Sequence, residues 1–281
     1  MALGWCHSAD CRRRGHGRGF WHPARGLRLS KSKCFHPFSL IFIDFQVTFD
    51  CISLNLSDFV RSFEHLEVSS GQLYTFGSAK NGRLGREGGA EPAVVLLEAS
   101  DGHRPQVLSV AVGGHHSCAI TEGGALWTWG YGGSWWSGAG GLGHGRRGEI
   151  ERPEVVMAFV EQGTEIAAVA CGDLHSLALD TMGRVYSCGQ GLFGALGRGG
   201  LASTGEELSF QEVNYFRRTT DSVLNPGVEP LIAKLDAGLD FSAAMSSVGE
   251  LWVWGRNDFG QLGMGFEVMQ DVRFILKGLL F

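Results

Sequence analysis

One figure, written four times, constrains this chain more than any other feature of its sequence. In the last copy, Gly249-Glu-Leu-Trp-Val-Trp-Gly255 is followed by four residues, Gly260, one residue and Leu262-Gly263. Gly183-Arg-Val-Tyr-Ser-Cys-Gly189 leads in the same way to Gly194 and Leu196-Gly197, and Gly71-Gln-Leu-Tyr-Thr-Phe-Gly77 leads to Gly82 and Leu84-Gly85. A fourth copy, Gly124-Ala-Leu-Trp-Thr-Trp-Gly130, reaches Gly140 and Leu142-Gly143 with five extra residues inserted. Fixed-period self-similarity of this kind marks a repeat architecture, in which no unit buries its own apolar face and neighbours must stack.

A second block precedes the later copies. It reads Ala111-Val-Gly113-Gly-His-His116-Ser117-Cys-Ala119, then Ala170-Cys-Gly172-Asp-Leu-His175-Ser176-Leu-Ala178, then Ala237-Gly238-Leu-Asp-Phe241-Ser242-Ala-Ala244. Its His or Phe stands 14 positions before the closing Gly in all three. The same offset in the first copy falls on Phe63 and puts Val60 where Gly is expected, so that block is degenerate.

Each piece has a structural meaning. Gly71, Gly124, Gly183 and Gly249 each precede alternating residues, which predicts hairpins with positive φ. In the strand that follows, Tyr74/Phe76, Trp127/Trp129, Tyr186/Cys188 and Trp252/Trp254 share one face, and Leu73/Thr75, Leu126/Thr128, Val185/Ser187 and Leu251/Val253 the other. Both faces are largely apolar, which places the strand in a sheet covered by a sheet on each side, as in a propeller blade. The Gly-x-Leu-Gly segment predicts a tight turn whose Leu plugs the core. The Ala-x-Gly block predicts an inner strand whose small residues let backbones crowd together.

The tandem of Gly-x-x-His-Ser-x-Ala and Trp-Gly-x-x-x-x-Gly-x-Leu-Gly resembles the regulator of chromosome condensation repeats. The resemblance runs from about Val60 to Gly265 and implies an all-β, β-propeller-type array, here of about four blades. Gly77, Gly113, His116, Gly130, Gly172, His175, Gly189, Gly238 and Gly255 are its structural repeat positions. The family's best-known member is a nucleotide exchange factor for a nuclear GTPase; others serve in traffic, ubiquitin transfer, mitochondria and ultraviolet sensing. Propellers of this family usually have seven blades, and no fifth block fits here. That leaves a fragment or truncated sequence, which is favoured, or self-association through open blade edges.

Composition supports the same picture. Glycine makes up 43 of 281 residues, twice the ordinary share, and the repeat frame accounts for the surplus. Residues 1–40 carry eight basic residues against one acid, whereas residues 41–281 carry 16 against 28, a net of −12. The chain therefore divides into a basic segment 1–40, a non-repeat β-like segment 41–59, the repeats 60–265, and 266–281 as the start of a further blade or a tail. Three readings of residues 1–40 stand side by side: an organellar transit peptide, a basic tail for nucleic acid, or a mis-assembled start. The location is accordingly intracellular, with organelle, cytoplasm and nucleus unresolved. Ile43, Phe45, Val47 and Phe49 alternate with polar residues and predict a strand able to pair with an open blade edge. No run is long and apolar enough to span a bilayer.

Groups with catalytic chemistry are scarce. The His-Ser pairs at 116–117 and 175–176 sit on neighbouring strand positions that face opposite ways, so neither makes a catalytic dyad. Cys118, Cys171 and Cys188 read as small buried apolar residues, and the spacing of Cys6, His7, Cys11 and His16 is too irregular for a metal site. No cofactor and no metal are expected.

Recognition is expected where the frame is broken. The insertion puts Tyr131, Trp135 and Trp136 on a glycine-rich loop, as a binding hot spot or as rings folded back on the next blade. The connector from Gly199 to Gly227 holds Phe210, Tyr215, Phe216, Arg217 and Arg218, a contact for an acidic partner or a solvated loop. The reading is a non-catalytic scaffold for a protein partner, with guanine-nucleotide exchange on a small GTPase as the alternative. Chromatin association through residues 1–40 comes third. Light sensing is disfavoured because the Gly-Trp-Arg-His-Thr signature of those receptors is absent.

Overall fold

A computed structural model of the chain describes residues 42–43, 64–99, 101–136, 138–198, 205–214, 231–263 and 270–276. All of them fall in the compact unit Ser39–Phe281, and the other unit, Met1–Phe38, lies outside the described residues. The first sheet holds β1 (Phe42–Ile43), β2 (Glu64–Ser69), β3 (Gln72–Gly77) and β4 (Ala93–Val95). The second holds β5 (Val107–Val112), β6 (His116–Thr121), β7 (Leu126–Tyr131) and β10 (Glu149–Val155). A small hairpin of β8 (Gly133–Ser134) and β9 (Gly138–Ala139) interrupts it, and the short helix α1 (Met157–Glu161) follows it. The third sheet contains β11 (Ile166–Cys171), β12 (His175–Asp180), β13 (Val185–Gln190) and β14 (Glu206–Glu212). The fourth contains β15 (Ile232–Ala237), β16 (Phe241–Ser246), β17 (Leu251–Gly255) and β18 (Gln270–Leu276). These are four four-stranded blades of a β-propeller.

The cores lie between the blades rather than within them. Leu73, Val95 and Leu97 of the first blade pack against Trp127 and Trp129 of the second. Leu126, Ile120 and Phe159 of the second meet Tyr186, Cys188 and Phe210 of the third, and Leu177 and Val185 of the third meet Trp252 and Trp254 of the fourth. Each blade thus turns its aromatic face to the preceding blade, as the alternation in the sequence requires.

The opposite face is less apolar than its pattern suggested. Thr75, Thr128 and Ser187 are fully buried, and their hydroxyls donate to the carbonyls of Leu84, Leu142 and Leu196 at 2.8, 2.7 and 2.9 Å. These bonds hold the first three Gly-x-Leu-Gly turns over their own sheets, and Leu84, Leu142, Leu196 and Leu262 are all buried. The residue before each Leu serves the next blade. Arg83, Gly141 and Ala195 offer their carbonyls to Ser117, Ser176 and Ser242 at 3.3, 2.7 and 2.8 Å.

Two glycine positions show why the frame recurs. Gly77, Gly130, Gly189 and Gly255, each closing its strand, have φ between 104° and 108°, a region closed to ordinary side chains. At the tips joining inner to second strands, a Cβ on Gly113 would lie 2.3 Å from the Gly172 carbonyl oxygen, and one on Gly172 2.6 Å from that of Gly238. The tips stack as a column in which the Gly114 N–H donates to the Gly172 carbonyl and the Asp173 N–H to that of Leu239, both at 3.1 Å.

The structure differs from the sequence expectations at three places. In the first blade Glu64, not Phe63, stands opposite Gly77, because Ser70-Gly71 makes a two-residue turn and the hairpin is one residue shorter. The inner position of that blade is taken by β1, paired parallel to β2, where the other inner strands are antiparallel to their neighbours. Phe45, Val47 and Phe49 lie outside the described residues. Outer strands β14 and β18 form within stretches read as a connector and as the start of a further blade or a tail, since the repeated figure ends at the Gly-x-Leu-Gly turn and the outer strand follows it with free sequence.

Candidate functional site

In every blade with an antiparallel inner strand, the first and third strands run toward the same end, so the inner tip and the Gly-x-Leu-Gly loop emerge side by side. Tyr131 leaves β7 at this end, with its ring 6.0 Å from that of His115 on the neighbouring tip. The five-residue insertion folds into the β8–β9 hairpin, which lifts Trp135 and Trp136 off the sheet at 86% and 99% exposure. The two rings stand in solvent rather than folded back on the next blade. The Arg147 guanidinium lies over the Trp135 ring, 4.8 Å from its centroid.

Ion pairs at this end lie both between blades and within them. Arg147 pairs with Glu206 of the third blade, and Nδ1 of His115 lies 3.0 Å from the Asp173 carboxylate. Arg256 binds Asp258 at 2.7 Å and Asp240 at 3.1 Å, and stacks on Phe193 and Phe259 at 4.8 and 5.3 Å. The hydrogen bond to Asp258 and its charge hold the Arg256 guanidinium above its usual range, against the pull of partial burial. Phe193 has φ 57°, a left-handed conformation that a phenylalanine adopts only when its surroundings impose it. Arg147, Phe193 and Arg256 were not legible as site residues, because their significance comes from pairing across blades.

Of the residues singled out in the sequence, Tyr131, Trp135 and Trp136 come together at this end, while Arg217 and Arg218 lie outside the described residues. Phe210 of the same connector is instead a buried residue of β14, 5.1 Å from the Phe159 ring. The histidines are positioning groups. Nε2 of His116 reaches the Ser176 hydroxyl of the next blade at 2.7 Å, and Nε2 of His175 reaches Ser242 at 3.0 Å. Each serine therefore joins a histidine and a turn carbonyl of the preceding blade, and the His-Ser pair works between blades, not within one.

The Regulator of chromosome condensation (RCC1) repeat family matches residues 70–120 and 123–179, and a second form of the repeat matches 107–134, 166–195 and 232–261. The chain belongs to the regulator of chromosome condensation repeat family. Among relatives, the human E3 ubiquitin-protein ligase HERC2 is 34% identical over 214 residues, 74% of this chain but 4% of that one. Among solved structures, human WBSCR16 superposes with a TM-score of 0.60 at 20% identity, over 77% of this chain and 53% of that one. Prp20p from Saccharomyces cerevisiae, described with its binding to Gsp1p and histones, gives 0.56 at 22% identity over 74% and 46%. The chain thus spans about half the length of these two structures. Both show the repeat fold. Among the described residues no helix is long and apolar enough to cross a membrane.

Proposed function

We propose that this protein is a non-catalytic binding scaffold that captures a protein partner through the blade end built around Tyr131, Trp135 and Trp136. The exposure of two adjacent tryptophans on a hairpin that the other blades lack carries this reading. Burying a tryptophan against a partner removes some 150–250 Å² from water, and tryptophan is among the residues most enriched at binding hot spots. The paired charges around it leave an apolar anchor within a neutralised rim, suited to a partner with an apolar pocket. The test is capture of partners by the full chain and by the double variant Trp135→Ala/Trp136→Ala. The variant is expected to lose capture at least tenfold with melting temperature within about 2 °C of the parent, since truncating exposed side chains costs little stability. Undiminished capture would remove the hairpin from the interface.

A second reading is guanine-nucleotide exchange on a small GTPase, supported by family membership and by the description of Prp20p as binding Gsp1p. Nucleotide release from a panel of small GTPases separates the two. No acceleration by the purified chain is expected of the scaffold, and strong acceleration makes it an exchange factor.

A further inference from the structure

The seam between the second and third blades departs from the repeat in its chemistry. The position before the tip glycine is Val112 in the second blade and Ala237 in the fourth, but Cys171 in the third. The position after the seam serine is Leu177 in the third blade and Ala243 in the fourth, but Cys118 in the second. Apolar residues serve the blade at both positions, so packing alone does not call for sulfur. At the next seam the corresponding positions hold Leu177 and Ala237. Only between the second and third blades, among the described residues, does the fold set two thiols against each other, with sulfurs 3.3 Å apart.

His116 completes the group. A ring nitrogen of this residue and the sulfurs of Cys118 and Cys171 all lie within 4.8 Å of one another, away from solvent. The Ser176 hydroxyl, 3.9 Å from both sulfurs, donates to the Gly141 carbonyl at 2.7 Å. It must therefore accept from Nε2–H of His116, which puts the imidazole lone pair on Nδ1, an atom that is buried and has no hydrogen-bond partner. A neutral imidazole held by a hydrogen bond through its other nitrogen is the form in which histidine ligates metals.

We propose that His116, Cys118 and Cys171 form a binding site for a thiophilic metal ion, zinc(II) or copper(I), that links the second blade to the third. Two thiolates and one imidazole are the donors such ions select, and two thiolate charges balance a divalent ion in a buried place. Zinc–sulfur bonds of about 2.3 Å in tetrahedral geometry set the sulfurs about 3.8 Å apart, which asks each to move by a few tenths of an ångström. The bonds formed are metal to sulfur and metal to nitrogen, and each thiol still protonated releases its proton to solvent.

The full chain, stripped of metal under reducing conditions, is titrated with zinc(II) and separately with copper(I) against chromophoric chelators, and with cobalt(II) for sulfur-to-metal charge-transfer absorption. The same is done for Cys118→Ala and Cys171→Ala, residues the repeat itself uses in the fourth blade. Because other cysteines and histidines are present, the difference between parent and variants is the readout. The parent is expected to bind one ion more per chain than either variant, or to bind it at least tenfold more tightly, with charge-transfer absorption and a metal-dependent rise in melting temperature that both variants lose. Should an alanine variant fail to fold, His116→Phe, which copies Phe241 of the fourth blade, gives the same comparison. Equal stoichiometry, affinity and absorption in parent and variants overturns the proposal. So does a Cys118–Cys171 disulfide found by peptide mapping in a chain that shows no such metal difference.

Discussion

At the scale of single residues, the seams are held by a serine that bonds the turn carbonyl of the preceding blade and receives its histidine. The second of these histidines is acid-sensitive. Burial pulls the His175 imidazole down to about 4. An unfolded histidine titrates near 6.5, so between these values the unfolded chain binds the extra proton and stability falls as the pH falls. Acidification from pH 6.5 to 4 is expected to cost about 3 kcal/mol through this group. Phe241 shows that the frame accepts an aromatic hydrocarbon at the same place. His175→Phe should therefore flatten the dependence of urea-unfolding free energy on pH across that window by about this amount. An unchanged slope would show that His175 is not buried neutral. The sequence disclosed that these histidines are structural, since they recur once per blade; their partner, a serine some 60 residues away, was hidden because it lies on another sheet.

At the scale of elements, the third strand of every blade and the second strand of the later three were readable, and the outer strands were not. The readable strands carry positions that every blade needs, such as the φ near 105° of Gly130 and its counterparts. Outer strands β10, β14 and β18 need only pair with one neighbour, so their sequences drift. The β8–β9 hairpin is the converse case, an element added to a connection that the other blades close without it. Deleting residues 133–137 restores the common spacing from Gly130 to Gly140. The deletion is expected to abolish partner capture while changing unfolding free energy by less than about 1 kcal/mol, because exposed loop residues contribute little to stability. A loss of several kcal/mol in chemical denaturation would show that the hairpin supports the blade.

At the scale of the whole molecule, stability resides in seams, since each buried cluster joins two neighbouring blades. In an array of this kind each unit feels only its neighbours. Ser176→Ala and Ser242→Ala remove equivalent bonds from successive seams, and each is expected to cost about 1–3 kcal/mol, because a buried carbonyl and a buried imidazole lose their partner. The double variant should cost their sum to within about 0.5 kcal/mol; a clear shortfall or excess in equilibrium unfolding would show that the two seams act as one. The sequence by itself determined the blades, because positive φ, glycine-to-carbonyl contact and alternating burial are local demands that only certain residues meet, and these recur in register. Which residues face one another across the seams was decided only by the stacked fold. His116 against Ser176, Cys118 against Cys171 and Arg147 against Glu206 are pairs between sheets, and no spacing along one chain encodes the angle at which one sheet settles on the next.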